Sequence, residues 1–257
     1  MGLHFVVCIK SVIMEPPEGD IVRSEELLQL NPYDRPAVEA ALRLREIRGG
    51  TVTTLSMGPE AGNAALAETL AMGADRGILL CDPAFKGSDT LATSTILAAG
   101  IRRLAPFDLI LFGTRTADSD TGQVGPQTAV SLDIPMVTGV HSMEFMGADL
   151  QVERRMDEFI GKYLVTLPAA LSVSLRSFVP GDIGLEAIEA AFEKKALETW
   201  DLNDLGLSPE MTGDAGSPTR VISMTKVKKD RTCELLRGAP AEQANELVAR
   251  LKKSGML

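Results

Sequence analysis

Short apolar runs alternate with amphipathic, helix-length segments through the first half of the chain. Leu3–Ile9 (LHFVVCI), Thr51–Ser56, Gly77–Cys81 and Leu109–Phe112 read as strands. Between the first two, Pro36–Arg48 places Ala37, Ala40, Ala41, Leu44 and Ile47 along one side and Glu39, Arg43 and Glu46 along the other, which is helical spacing. Asp34 is positioned to cap that helix and Gly49-Gly50 to stop it. Ala61–Met72, ended by Gly73, predicts a second helix, and a third starts at Ser88 or Asp89 and runs to about Leu104. This alternation predicts an α/β fold: a parallel sheet covered on both faces, with ligands held outside the C-terminal ends of the strands.

From about His141 the pattern changes. Leu150–Arg154, Lys162–Thr166 and Ala170–Leu175 look like strands with no long helix between them, as hairpins or a sheet extension would. Pro180-Gly181 marks a turn, and Leu185–Lys195 a short amphipathic helix with Leu185, Ile188 and Phe192 on its apolar side. Residues 201–220, rich in Gly, Pro, Ser and Asp, read as an extended arm. Glu242–Lys253 reads as a final helix with Ala244, Leu247, Val248 and Leu251 on one side. The division expected is 1–200 for the α/β domain and 201–257 for the arm and last helix. That tail packs either on its own domain or on a partner subunit.

The stretch Gly113–Pro126 (GTRTADSDTGQVGP) follows one strand and precedes a helix-like run, Gln127–Leu132. A helix N-terminus offers free N–H groups and a partial positive charge, so a polar glycine-rich loop there suits a phosphate. Gly113, Gly122 and Gly125 permit close backbone approach, and Thr114, Thr116, Ser119, Thr121, Gln123 and Thr128 can hydrogen-bond a phosphate, a ribose or an adenine edge. The stretch is neither a GxxxxGK[ST] loop nor a GxGxxG fingerprint, so a polar connection at the top of a sheet is an equal reading. Three other strand ends, at Cys8-Ile9-Lys10, Ser56-Met57-Gly58 and Cys81-Asp82, should share its edge.

Composition narrows the classes. A formal charge of −9 without a long basic block argues against nucleic acid or an anionic membrane as the main partner. No apolar run approaches the ~20 residues of a membrane span, and the first residues read as a strand rather than a leader. The three cysteines, Cys8, Cys81 and Cys233, have no metal spacing and fit a reducing, cytoplasmic setting. The two histidines, His4 and His141, have no nucleophile partner in a motif. No covalent catalyst stands out. Asp118 and Asp120 read as residues that orient the loop or bind ribose rather than as a metal site, and at least one should turn away from phosphate.

The order of several segments resembles one family over essentially the whole chain, the beta subunit of electron transfer flavoprotein. The segments are VVCIK in the first strand, Asn31-Pro32-Tyr33-Asp34 before an A-x-E-x-A helix, and LSMGP at 55–59. They continue with AMGADR at 71–76, the D-x-D-T-x-Q-x-G run within the loop, and VERRMD at 152–157 followed by Leu167-Pro168-Ala169. The resemblance implies a HUP-like, Rossmann-type adenine-nucleotide-binding domain in a heterodimer with an alpha subunit, served by an acyl-CoA or other flavin dehydrogenase. The cofactor it implies is FAD, with AMP as the alternative. DTGQVGP and Gly216–Val221 are similar to the bifurcating and nitrogen-fixation-associated branch rather than the mitochondrial type. The run Ser11–Pro16 and the residues Arg115, Thr116, Ser119 and Asp120 depart from that branch.

Carried over position by position, the cofactor contacts implied are Cys8, Asn31, Pro32, Tyr33, Asp34, Met57, Ala117, Asp118, Ser119, Asp120, Thr121, Gly122, Gln123, Val124, Gly125, Pro126, Gln127 and Thr128. Lys10 and Arg115 join them as cations able to meet phosphate or reduced-flavin charge. Leu185 matches the spacing of a family loop that projects a leucine into the dehydrogenase. Two other classes compete. A stand-alone adenine-nucleotide-binding regulatory domain would not need the arm after residue 200. An ATP-cleaving enzyme would need an SGGxDS loop where Lys10–Pro17 stands.

Overall fold

The computed structural model describes residues 2–14, 27–193, 196–220, 222–223 and 233–257, apart from the side chains of Phe192 and Glu193. The expected contributions of Glu15, Pro16, Pro17, Lys195, Val221 and the Phe192 side chain lie outside the described residues. The chain divides into two compact units, Met1–Arg220 and Val221–Leu257.

The first unit is built on a twisted sheet. Strand β1 (Leu3–Ile9) is followed by a small antiparallel ribbon of β2 (Ser11–Val12) and β3 (Gln29–Leu30). Helix α1 (Arg35–Arg48) leads to β4 (Gly50–Met57), α2 (Asn63–Met72) to β5 (Arg76–Leu80), and α3 (Thr90–Arg103) to β6 (Leu109–Gly113). Then come α4 (Val124–Leu132), β7 (Met136–Met146), β8 (Asp149–Met156), β9 (Phe159–Val165), β10 (Ala169–Val173), α5 (Leu185–Glu193), β11 (Leu197–Trp200) and the short α6 (Gly213–Gly216). The sheet order is β11-β5-β4-β1-β6-β10-β7-β8-β9. Pairing is parallel from β11 through β7 and antiparallel from β7 to β9.

The central strands are apolar on both faces because both faces are covered. Phe5, Val7 and Ile9 of β1 face Ala37, Ala40 and Ala41 of α1 and Leu66 of α2. Val6 and Cys8 face the other way, with Ile96, Leu97 and Ile101 of α3 and Ala129 of α4. Each fully buried large side chain of this kind contributes roughly 1.5–3 kcal/mol, so the two layers together hold the sheet. After β1 the chain moves outward through β4 and β5, then returns across to β6 on the other side of β1. That reversal is the topological switch point, where an open α/β sheet forms its binding crevice.

The predicted helices form, except that α4 starts three residues earlier, at Val124 rather than Gln127, so Val124, Gly125 and Pro126 belong to its first turn and not to the loop, and the capping differs at one helix. Asp89 caps α3 with its carboxylate, accepting from Leu91 N at 2.9 Å and Ala92 N at 3.0 Å. Asp34 occupies the N-cap position of α1, but its side chain makes no capping bond there. It turns to the end of β1 instead, where Lys10 N donates to it at 2.8 Å.

Two strands have weak signals in the sequence. β7 pairs with β10, then shifts register between Leu171 and Val173. The bulge centres on Gly139, which has φ +68 and whose N–H donates to Ser172 Oγ at 3.0 Å. A strand broken by a bulge loses its clean alternation. β11 is four residues of mixed polarity, held at the opposite edge by Arg76, which donates to both carboxylate oxygens of Glu198 at 2.7 Å. Trp200 is nearly buried between the guanidinium groups of Arg76 and Arg103, at 5.5 and 4.8 Å from its ring.

Residues 201–220 pack on their own unit. Leu202 N donates to Asp82 Oδ2 at 3.1 Å and Thr219 N to Asp89 Oδ2 at 3.0 Å, and Thr212 and Ser217 are buried. In the second unit, helix α7 (Pro240–Lys253) leaves Leu247 and Val248 of its apolar stripe exposed.

Candidate functional site

Three segments meet at the switch point. The first is the exit of β1 with Lys10. The second is the turn Asn31–Asp34, delivered there by the β2–β3 ribbon and tied down by Asn31 N donating to Lys10 O at 2.9 Å. The third is the loop 114–123, launched by β6 and received by α4.

The turn and the exit of β6 touch closely. A Cβ placed on Gly113 would lie 2.2 Å from Asp34 Oδ1 and 2.6 Å from Tyr33 O, so residue 113 can carry no side chain. Asn31 is wholly buried. Its Nδ2 donates to Arg115 O at 3.0 Å, and its Oδ1 accepts from Ala117 N at 3.2 Å. Burial pushes the Asp34 carboxyl up to about 7, against the pull of donors from Lys10, Asn31 and Gly113 and of the Lys10 charge. Beneath them Cys8 is buried, and burial followed by the nearby Asp34 charge pushes its thiol far up, so it remains protonated and inert.

The loop itself is polar and exposed. Lys10 Nζ donates to Asp118 Oδ1 at 2.8 Å and to Ser119 Oγ at 3.1 Å. Partial burial pushes the Asp118 carboxyl up, but hydrogen bonding and charge from Lys10, with Thr116 and Ser119, outweigh it and hold the group below the usual carboxylate range. Arg115 pairs with Asp120 at 3.3 Å and lies 5.9 Å from the Tyr33 ring. Each acid of the loop is thus matched to one cation, which answers the repulsion that two free carboxylates would exert on a phosphate. Asp120 and Gly122 adopt positive φ, 54° and 63°, and turn the chain toward α4. Gln123 N donates to Thr121 Oγ1 at 3.4 Å.

At the start of α4 the sequence-predicted residues divide. Gly125 sits against Phe112 and Met136, where a Cβ would come within 3.2 and 3.0 Å of their side chains. The Thr128 hydroxyl is buried and donates to Val124 O at 2.8 Å. Gln127 Oε1 accepts from Ser94 Oγ at 3.1 Å and Gln123 Oε1 from Thr90 Oγ1 at 3.2 Å. Val124 packs into the core, and Pro126 lies in the first turn of α4. Met57, half-buried, ends β4 in the strand next to β1. Leu185 is 80% exposed at the first residue of α5 and belongs to no contact of this cluster.

Thr90 and Ser94 carry no site signal in the sequence. Their hydroxyls join the first two turns of α3 to the start of α4, and the sequence sign of it is the Asp89 cap that fixes where α3 begins. The other polar groups at this edge are the loop hydroxyls, which bond within the loop and to Lys10, and the backbone N–H groups at the start of α4, a donor set that suits a phosphorylated nucleotide. Among the described residues no group of three or more His, Cys, Asp or Glu side chains is arranged to hold a metal. None of the described helices is long and apolar enough to cross a membrane.

The electron transfer flavoprotein domain profile matches residues 19–205. The chain belongs to the electron transfer flavoprotein family. It is 38% identical to the electron transfer flavoprotein subunit beta of Thermoanaerobacterium thermosaccharolyticum, over 97% of this chain and 98% of that one. It is 36% identical to the caffeyl-CoA reductase-Etf complex subunit CarD of Acetobacterium woodii, over 99% and 100%. It is 38% identical to protein FixA of Azotobacter vinelandii, over 98% and 94%. These similarities put it on the beta-subunit side of the family, as an electron-carrier component of such complexes. Membership also carries adenine-nucleotide or flavin binding with it at the level of the family.

Proposed function

We propose that the crevice between the β1 exit, the Asn31–Asp34 turn and the 114–123 loop binds the adenosine-phosphate part of FAD, with AMP as the alternative occupant. In this reading the chain works as the beta subunit of a heterodimeric flavoprotein, beside an alpha subunit. It carries electrons between a flavin dehydrogenase and another redox partner. When bound, a flavin would supply the electron transfer, and the protein would supply its position and its electrostatic surroundings.

The observation that carries the reading is the convergence of loop, turn and α4 N-terminus on the switch point. Lys10 and Arg115 would meet negative charge on a phosphate or on reduced flavin, sharing it with Asp118 and Asp120. The loop hydroxyls of Ser119 and Thr121, and the first N–H groups of α4, would orient the phosphates. The exposed stripe of α7 and the exposed Leu185 would meet protein partners, the alpha subunit and the dehydrogenase respectively.

The test is the identity and count of nucleotides released from the purified heterodimer. One FAD and one AMP per heterodimer gives AMP to this subunit, and two FADs give it FAD. A heterodimer that releases a single FAD and no second nucleotide sinks the reading.

A further inference from the structure

We infer that Asn31 is a positioning residue, whose buried carboxamide clamps the loop after β6 at Arg115 and Ala117 into the shape that receives the nucleotide. The inference rests on the nucleotide reading of this edge and gives one residue of it a different task from touching the ligand. Both polar atoms of the side chain engage loop backbone: Nδ2 donates to Arg115 O at 3.0 Å and Oδ1 accepts from Ala117 N at 3.2 Å, and the same carboxamide also supplies a hydrogen bond to the Asp34 carboxyl. The residue is completely buried, so nothing of its side chain faces an incoming ligand.

The clamp works because its own base is fixed. Asn31 N donates to Lys10 O and Asp34 N to Asn31 O, both at 2.9 Å. Lys10 N donates to Asp34 Oδ2 at 2.8 Å, and the turn presses so closely on Gly113 that no Cβ fits between. The turn is therefore attached to the exits of both β1 and β6. By contrast, loop residues 117–122 are exposed, and beyond Asn31 the loop is held mainly by its own short-range bonds and by surface ion pairs. Such pairs contribute little, about 0–1 kcal/mol. A carboxamide is the side chain that can both donate to a carbonyl and accept from an N–H two residues apart. An aspartate of the same shape would set a carboxylate oxygen against Arg115 O.

That difference supplies the experiment. Asn31→Asp and Asn31→Ser are made in the full-length chain, co-expressed with its alpha partner. Binding is measured with AMP and with FAD as probes, and amide hydrogen exchange is followed in the nucleotide-free protein. At pH 8.5 both variants should bind at least tenfold more weakly than the unaltered protein. The amides of residues 114–123 should exchange at least tenfold faster, while those of β1, β4 and β6 keep their protection. At pH 5.5 the carboxyl introduced by Asn31→Asp regains a proton and can donate to Arg115 O again, so N31D should recover relative to the unaltered protein while N31S does not. The titratable and charged neighbours are Cys8 and Lys10 from β1, Asp34 from the turn, and Arg115, Asp118 and Asp120 from the loop. Asp34 titrates in the same range and takes a hydrogen bond from Asn31, so N31S, which loses that bond without gaining a carboxyl, is the control for its titration, and the difference between N31D and N31S reports the new carboxyl.

Binding of both variants within twofold of the unaltered protein, or unchanged exchange in the loop, overturns the clamp. So does an equal loss of protection in the core strands, which would make Asn31 a general fold residue. If N31D does not fold, N31S carries the same two readouts. If the unaltered protein binds neither probe, the nucleotide reading falls, and loop exchange alone decides whether Asn31 holds the loop.

Discussion

The turn Asn31–Asp34 and the loop 114–123 meet at one edge of the sheet and are built in opposite ways. In the turn, Asn31 and Asp34 are buried and their polar atoms are engaged by backbone. In the loop, most side chains stand in solvent, and the charges meet in one exposed pair, Arg115–Asp120, and one partly exposed pair, Lys10–Asp118. A buried bond is strong because breaking it strands a polar group, whereas an exposed pair can exchange a carboxylate for water or phosphate at little loss. The rigid segment is thus fitted to hold shape and the soft one to change partners. Substitutions in the turn should therefore cost stability, and substitutions in the loop should cost binding.

Gly113→Ala should be the most damaging substitution at the site. The added Cβ would lie 2.2 Å from Asp34 Oδ1 and 2.6 Å from Tyr33 O, neither of which can move without pulling the turn from β1. A loss of about 2–3 kcal/mol in denaturant unfolding is expected, together with loss of bound nucleotide. The comparison needs Gly122→Ala beside it. That residue has φ +63 but an open surround, with one backbone oxygen at 3.1 Å, so the expected loss is about 1 kcal/mol. Equal losses at the two positions would erase the distinction between turn and loop.

Much of this arrangement is written locally in the chain, and the part that is not is the part that works at a distance. Helices α1, α2 and α3 declare themselves through period, caps and glycine stops, all read within a few residues. The parallel sheet follows from apolar strands alternating with those helices. β11 and the bulged β7 do not declare themselves, because a four-residue edge strand and a strand broken at Gly139 lack a sustained period. The site shows the same divide. The loop is visible as a polar glycine-rich stretch between strand and helix. The task of Asn31 is not visible, because its partners lie 84 and 86 positions away. Asp34 reads as a helix cap from its place before Arg35-Pro36, yet the fold offers it the N–H of Lys10 at closer quarters.

Asp34 gives the comparison a pH signature. Its carboxyl titrates at about 7 in the folded chain, raised by burial from an ordinary value of 3.8. A raised folded value means that the protonated form is the one the fold favours. The contribution of this group to stability is full below pH 3.8 and is lost as pH climbs through 7. Asp34→Asn cannot ionise and should not show that loss. Its unfolding free energy relative to the unaltered chain should therefore improve between pH 5 and pH 8, by at least about 1 kcal/mol. A difference that stays flat across this range, measured by denaturant unfolding at both pH values, would show that the turn tolerates the charge.

Lys10→Met should leave stability almost untouched and change binding instead. The pair with Asp118 is short, 2.7 Å, but both side chains are partly exposed, at 34% and 26%, and pairs of that kind contribute about 0–1 kcal/mol. What the substitution removes is the cation that offsets Asp118 at the mouth of the crevice. An unmatched carboxylate there would oppose phosphate, so AMP affinity should fall about tenfold, and added salt should narrow the gap to the unaltered protein by screening that repulsion. The unfolding free energy should change by less than about 1 kcal/mol. A large loss of stability with binding intact would mean that Lys10 belongs to the rigid side of the comparison, holding the loop as Asn31 does.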